Sequence, residues 1–179
     1  MRFFTQLVRT TFRLQLTYRT AMWAGLATNL FFGILRAAVI LALYGDQKVV
    51  NGLSIGGAIT FVGLTQALIA FTTIFGSSDV MRSVYSGDIS TDLLRPMNFY
   101  IYWLARDLGG SLVNLLGRGL LFMAAFALLY PIYLPETSQQ WLGFTGALSL
   151  SWLVSFSWRF LVNLAAFWTP DAAGIGRGL

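Results

Sequence analysis

Three arginines, Arg36, Arg118 and Arg159, fall inside long apolar runs, and each shares a helical face with an asparagine. Asn29 precedes Arg36 by two turns, while Asn114 and Arg118, and Arg159 and Asn163, are i and i+4 pairs. A guanidinium in such a run can hold an anionic group through a forked set of donors, with the amide fixing its orientation. Keeping it there costs at least about 2.5 kcal/mol at the centre of a span. The apolar runs contain no acid to pair with these arginines. Two readings follow: the stripes line a path for a substrate with an anionic part or meet a second subunit, or each arginine snorkels or bonds backbone carbonyls within a bundle.

The second concentration of polarity is acidic. Asp79, Asp88, Asp92 and Asp107 are four of the chain's seven acids, all in one segment. Ser86 and Gly87 signal a turn, Asp88 can cap a helix and Pro96 stops it, so residues 88–95 form about two helical turns. Asp88, Asp92 and Arg95 share one face; Ile89 and Leu93 lie on the adjacent apolar side. That pattern is expected to rest its apolar side on the bundle and show its charges to the aqueous phase, as a docking surface or as a solvated loop. The aromatic run Phe99, Tyr100, Tyr102 and Trp103 after Asn98 reads as an interfacial belt that leads into the next span after Arg106 and Asp107.

Other chemistry is closed to these residues. Cysteine and histidine are absent, so thiol nucleophiles, imidazole acid–base work and cysteine or histidine metal sites are excluded. Without a carboxylate in a span, an intramembrane enzyme has no base beside a nucleophile, and a proton- or ion-coupled carrier lacks its usual acids. There is no G-x-x-x-x-G-K-[ST] loop, and the tail glycines Gly174, Gly176 and Gly178 lack the following lysine. ATP is not bound by that route.

The elements that must position these residues are set by composition. Of 179 residues, 56% are hydrophobic and 11% charged, against about a quarter charged in soluble domains. Four runs are long enough to cross a bilayer as helices: residues 22–44, 56–76, 108–130 and 141–168. They lack the alternation of barrel strands, so the fold class is all-α, a polytopic membrane helical bundle. In the second run Gly56, Thr60, Gly63 and Ala67 make a small-residue ridge for close helix packing, with Gln66, Thr72 and Thr73 adding hydrogen-bonding capacity.

Residues 1–20 form no cleavable leader; they read as an interfacial amphipathic helix, with Phe4, Leu7, Thr11, Leu14 and Tyr18 opposite Arg2, Arg9 and Arg13. The basic residues gather in residues 1–20, in loop 77–107 and at Arg177, whereas the other two loops hold only Lys48. The positive-inside rule therefore predicts both termini and loop 77–107 in the cytoplasm. The net charge of +5 is scattered singly, which argues against nucleic acid and for the lipid bilayer as partner.

The stretch SGDISTDLLRPMNFYIYWLARDLG resembles the cytoplasmic segment between the second and third spans in permease subunits of bacterial ATP-binding cassette exporters of the second exporter type, and NLAAFWTPDAAGI resembles the end of their fourth span. The resemblance implies six helices, an N-terminal surface helix and a short cytoplasmic coupling helix moved by a separate nucleotide-binding ATPase subunit. It places Asp88, Ile89, Asp92, Leu93, Leu94, Arg95 and Pro96 against that partner, with Asp88, Asp92 and Arg95 as the exposed charges. It further implies a second permease subunit in a homo- or heterodimer, a location in the bacterial inner membrane, and no cofactor in this chain, with ATP and Mg in the partner. Four of the six expected spans are present, so a C-terminal truncation is expected; a stand-alone secondary transporter or channel, or a non-functional permease fragment, is the alternative reading.

Overall fold

The computed structural model describes residues 2–17, 19–72 and 79–169. Helix α1 (Arg2–Gln15) is followed by α2 (Arg19–Tyr44), a two-residue hairpin β1 (Val49–Val50) and β2 (Leu53–Ser54), and α3 (Ile55–Thr72). Two short helices come next, α4 (Asp79–Ser86) and α5 (Ile89–Leu93). Then α6 (Phe99–Asn114) runs through a π-helical turn (Leu115–Leu120) into α7 (Leu121–Leu129), and α8 (Ser138–Leu164) ends in a 3-10 turn (Ala165–Phe167). Among the described residues four helical stretches are long and apolar enough to cross a membrane: Thr20–Tyr44, Ile55–Thr72, Phe99–Leu129 and Ser138–Phe167. The fold is all-α and polytopic.

Its boundaries differ from the sequence expectation in one place that matters for function. The third span starts at Phe99 rather than at residue 108, because Asn98 caps it by accepting the Ile101 N–H at 3.2 Å, directly after Pro96 has ended the preceding turn. Asp107 therefore lies within a 31-residue helix and not ahead of it. Residues 73–76 of the expected second span, Thr73 among them, lie outside the described residues, as do Tyr18, the tail glycines and Arg177. The small hairpin was not anticipated; Asn51 and Gly52 both take positive φ, 50° and 81°, the backbone that a tight two-residue turn requires.

At the hairpin end the core is Leu26 and Ala37 of α2, Ile59 and Ala67 of α3, and Phe122 and Phe126 of α7. Gly56, Thr60, Gly63 and Ala67 of α3 are all buried, and the Phe126 ring sits so close over Gly63 that an added Cβ would stand 2.9 Å from it. A side chain there would have to push a fully buried ring aside, so the absence of one sets the α3–α7 separation.

At the opposite end a second core joins Val80 of α4, Ile89 of α5, Tyr102 and Trp103 of α6, and Phe156 and Phe160 of α8. The expected aromatic belt is thus half core: Tyr102 and Trp103 are buried, with Tyr100 packed edge-on against Phe156 and Phe160 at 5.4 and 5.2 Å. Edge-on ring pairs of this kind are favoured by the ring quadrupole beyond their area alone. Helix α1 lies against α6 with Phe4, Leu7, Val8, Thr11 and Phe12 half-buried and Arg2, Arg9 and Arg13 exposed. Leu14, expected on the apolar side, is exposed, since α1 leans on α6 through Val8 and Phe12 rather than along the whole predicted stripe.

Candidate functional site

The polar residues of the spans collect into two networks. Between α2 and α3, Arg36 donates to the Gln66 side-chain oxygen at 3.0 Å, and Asn29 donates to the Gln66 backbone carbonyl at 3.3 Å. Arg36 and Asn29 thus converge on one residue of the neighbouring helix rather than on each other.

The second network overturns the expectation that no span arginine meets an acid. Arg159 of α8 grips Asp107 of α6 with both terminal nitrogens, at 2.7 and 3.1 Å. The Trp152 indole N–H donates to the same carboxylate at 2.9 Å, and the Ser111 hydroxyl donates to it at 3.3 Å. The Asp107 carboxylate thus accepts four hydrogen bonds, which offsets part of the cost of holding two charges out of water. The pair is well shielded, with side-chain exposures of 7% and 15%.

Asn163 extends the network out of the span. Its Nδ2 donates to the Arg159 backbone carbonyl at 2.7 Å, and its Oδ1 accepts the Met81 backbone N–H of α4 at 3.1 Å. Two residues on in α4, the Ser83 hydroxyl donates to Asp92 of α5 at 3.4 Å, and Asp92 holds the Arg95 guanidinium at 3.1 Å. Arg95 in turn lies 4.7 Å over the Tyr102 ring of α6. The α4–α5 segment is consequently tied to α8 through Asn163 and to α6 through Arg95.

This arrangement corrects the expected face of the 88–95 segment. Asp92 is buried, 6% exposed, and together with Ile89 it points the segment into the bundle. Leu93 and Leu94 are turned out instead, at 55% and 85% exposure, flanked by exposed Asp88, Arg95 and Pro96. The helix is shorter than the two turns expected over 88–95: Ile89–Leu93 is five residues, and Asp88 stands at the N-cap position without capping, its carboxylate accepting the Ser86 hydroxyl at 2.7 Å. A segment this short is stable only because α4 and α6 hold it.

Asn114 and Arg118 make no contact of the expected kind. Arg118 sits in the π-helical turn, lies against Gly25 of α2, and forms no hydrogen bond or ion pair among the described residues. A π-turn widens the helix by one residue per turn and occurs often where a side chain is presented for function.

Ser111, Trp152 and Ser83 are marked by no motif in the sequence, and Asp107 reads there as part of the acidic segment ahead of the third span. Ser111 follows Asp107 by four positions and Arg159 follows Trp152 by seven, so each helix carries a polar stripe that would have marked the interface once Asp107 was placed inside the span. Among the described residues no group of three or more acids, histidines or cysteines could hold a metal ion.

A family model described as ABC-2 family transporter protein matches residues 30–176. Neither a curated protein nor a solved structure matches the chain. With a family match that takes in Arg36 and Gln66, the Asp107–Arg159 network, the α4–α5 segment and all of the spanning stretches except the start of the first, the chain belongs to the ABC-2 family of transporter proteins, multi-pass membrane permeases of ABC-type transporters that associate with an ATP-binding subunit.

Proposed function

We propose that the chain converts movement of its ATP-binding partner into rearrangement of its spanning helices, and that α5 is the element the partner pushes. The observation that carries this reading is the bonded route from α5 to the span interior. Asp92 bonds Ser83 of α4, Met81 of α4 bonds Asn163 of α8, and Asn163 bonds the backbone of Arg159, whose side chain grips Asp107 of α6. A displacement of α5 cannot leave α6 and α8 undisturbed, because packed elements joined this way move as bodies between discrete arrangements.

The contact surface is Leu93, Leu94, Arg95 and Pro96, with Asp88 at its edge; Ile89 and Asp92 transmit from beneath. ATP and Mg belong to the partner, a nucleotide-binding subunit. On this reading the segment from α4 to Asn98 and both termini face the cytoplasm, the membrane is the bacterial inner membrane, and a second permease copy or homologue completes the transporter. The arginines Arg36 and Arg118 would then lie along the pathway or at the subunit contact for an unidentified substrate.

The chain has no cysteine, which makes a direct test clean. A Leu94→Cys variant, coexpressed with the ATPase subunit, is expected to cross-link to it through a short bifunctional maleimide, and the yield should change when ATP is trapped with vanadate. An intact complex that gives no cross-link at Leu94→Cys with any partner cysteine placed around its membrane-facing groove would sink the coupling assignment.

A further inference from the structure

A cleft of about 550 Å³ opens between α1, α6 and the last part of α8, and α4 contributes Asp79 and Val80 to its lining. One part of its wall is apolar, with Leu7, Leu14 and Phe160; another is polar, with Gln15, Arg106 and Asn114. The Asp107–Arg159 pair also borders it, but those two charges neutralise each other.

Arg106 is differently placed. Its guanidinium stacks 4.5 Å over the Trp103 ring and makes one long bond, 3.4 Å, to the Tyr102 hydroxyl, with no ion pair among the described residues. A stacked guanidinium keeps its in-plane N–H groups available, so the cleft offers a cation held in place without an anion. Asp79 supplies a carboxylate in the same lining. A free phosphate dianion would be repelled by it, whereas a phosphodiester carrying an amine matches both charges. The apolar wall calls for a hydrocarbon chain on the same molecule. The setting agrees: α1 exposes Arg2, Arg9 and Arg13 and turns Leu7 and Thr11 toward α6, the posture of a helix lying at headgroup depth.

We infer that this cleft is a binding site for one bilayer phospholipid with an amine headgroup, its phosphate on Arg106, its amine toward Asp79 and an acyl chain along Leu7, Leu14 and Phe160. The assignment does not depend on the coupling role of α5.

The test is native mass spectrometry of the full chain, purified in mild detergent and relipidated from vesicles of equal phosphatidylethanolamine and phosphatidylglycerol. One phosphatidylethanolamine per chain is expected to remain bound. Gly110 lines the cleft, and a Cβ there would stand 3.8 Å from the Gln15 amide nitrogen, so Gly110→Ala fits and should retain the lipid. Gly110→Phe fills the cleft, and Arg106→Ala removes the cation; each should lower occupancy by about tenfold or more. Asp79→Asn should keep a lipid but shift the preference toward phosphatidylglycerol. Equal occupancy in the wild type, Arg106→Ala and a Gly110→Phe protein of unchanged helical content would overturn the site. Competition by glycerophosphoethanolamine as strong as by the intact lipid would overturn the lipid assignment in favour of a soluble phosphodiester, and a wild type that retains no lipid would overturn it outright.

Discussion

Asp107 and Arg159, 52 positions apart on α6 and α8, form a two-pronged ion pair that also collects the Trp152 indole and the Ser111 hydroxyl. Paired, the two charges are close to neutral for stability; separated, either one is expensive, because the survivor is buried without a counter-charge. Arg159→Met should therefore cost about 3–5 kcal/mol, and the double change Asp107→Leu with Arg159→Met markedly less than the sum of the two single changes. Denaturant unfolding of the purified chain in detergent measures this directly. Additive single and double values would show that the two side chains do not act as a pair.

The second close approach is between α1 and α6. At Gly109 an added Cβ would meet the Val8 carbonyl oxygen at 2.6 Å and the Thr11 Cβ at 2.8 Å, and the first of these is backbone that cannot step aside. Gly109→Val should force α1 off α6 at a cost of about 1–3 kcal/mol. Arg9 and Arg13 are exposed in the docked helix, but cleavage also needs the backbone unwound, which a 14-residue helix does readily once it leaves α6, so the tryptic rate there reports the lifted state and should rise about tenfold for each 1.4 kcal/mol. Cleavage no faster than in the wild type would mean that α1 is held by something other than this contact.

What sequence revealed and what it hid divide along physical lines. The four apolar stretches were legible because crossing hydrocarbon demands length and composition, both of which are local. The π-turn at Leu115–Leu120 left no such mark, since Gly117 and Gly119 around Arg118 read equally as packing glycines. The helix expected over residues 88–95 is confined to Ile89–Leu93, and Asp92 and Leu93 exchange sides in it, although Ile89 is buried and Asp88 and Arg95 are exposed as the pattern predicts. A period-3.6 pattern over eight residues assigned charge to solvent, yet Asp92 found Ser83 and Arg95 and went inward, while Leu93 and Leu94 stayed outside. In five helical residues, tertiary partners outweigh amphipathicity. Asp107 was missed for a third reason. The apolar run points to a span beginning at residue 108, which leaves Asp107 in the loop, whereas the cap at Asn98 starts the helix at Phe99.

The inward turn of Asp92 and the exposure of Leu93 and Leu94 change which variant tests partner binding. Leu94 is 85% exposed and touches the bundle little, so Leu94→Glu should shift folding stability by no more than about 0.5 kcal/mol while sharply reducing recovery of the ATPase subunit in pull-downs. Asp92→Lys behaves in the opposite order: it loses the Ser83 and Arg95 bonds and buries an unmatched cation, so the melting temperature falls first and association follows. Equal loss of association in Leu94→Glu and in a distant control such as Leu134→Glu, in the exposed loop between α7 and α8, would remove the special role of the α5 surface.

Arg118 allows a prediction that separates the stability of the chain from its role in an assembly. Its guanidinium has no hydrogen bond or ion pair among the described residues, and its Nε is buried without a partner. Insertion scales penalise arginine and favour leucine near a span centre by a combined ~3 kcal/mol, and partial shielding by neighbouring helices reduces but does not reverse that preference. Arg118→Leu should therefore stabilise the isolated chain by about 1–2 kcal/mol in detergent unfolding. A residue that costs stability where it stands is a candidate for a contact made only in the complete transporter, with an anionic group of the cargo or of a second subunit. If so, the same substitution should lower ATPase stimulation in the reconstituted complex, and Arg118→Lys, which keeps the charge but not the fork, should fall between the two. Destabilisation of the isolated chain by Arg118→Leu would place the guanidinium among the groups that hold the bundle together, and would take it out of the pathway.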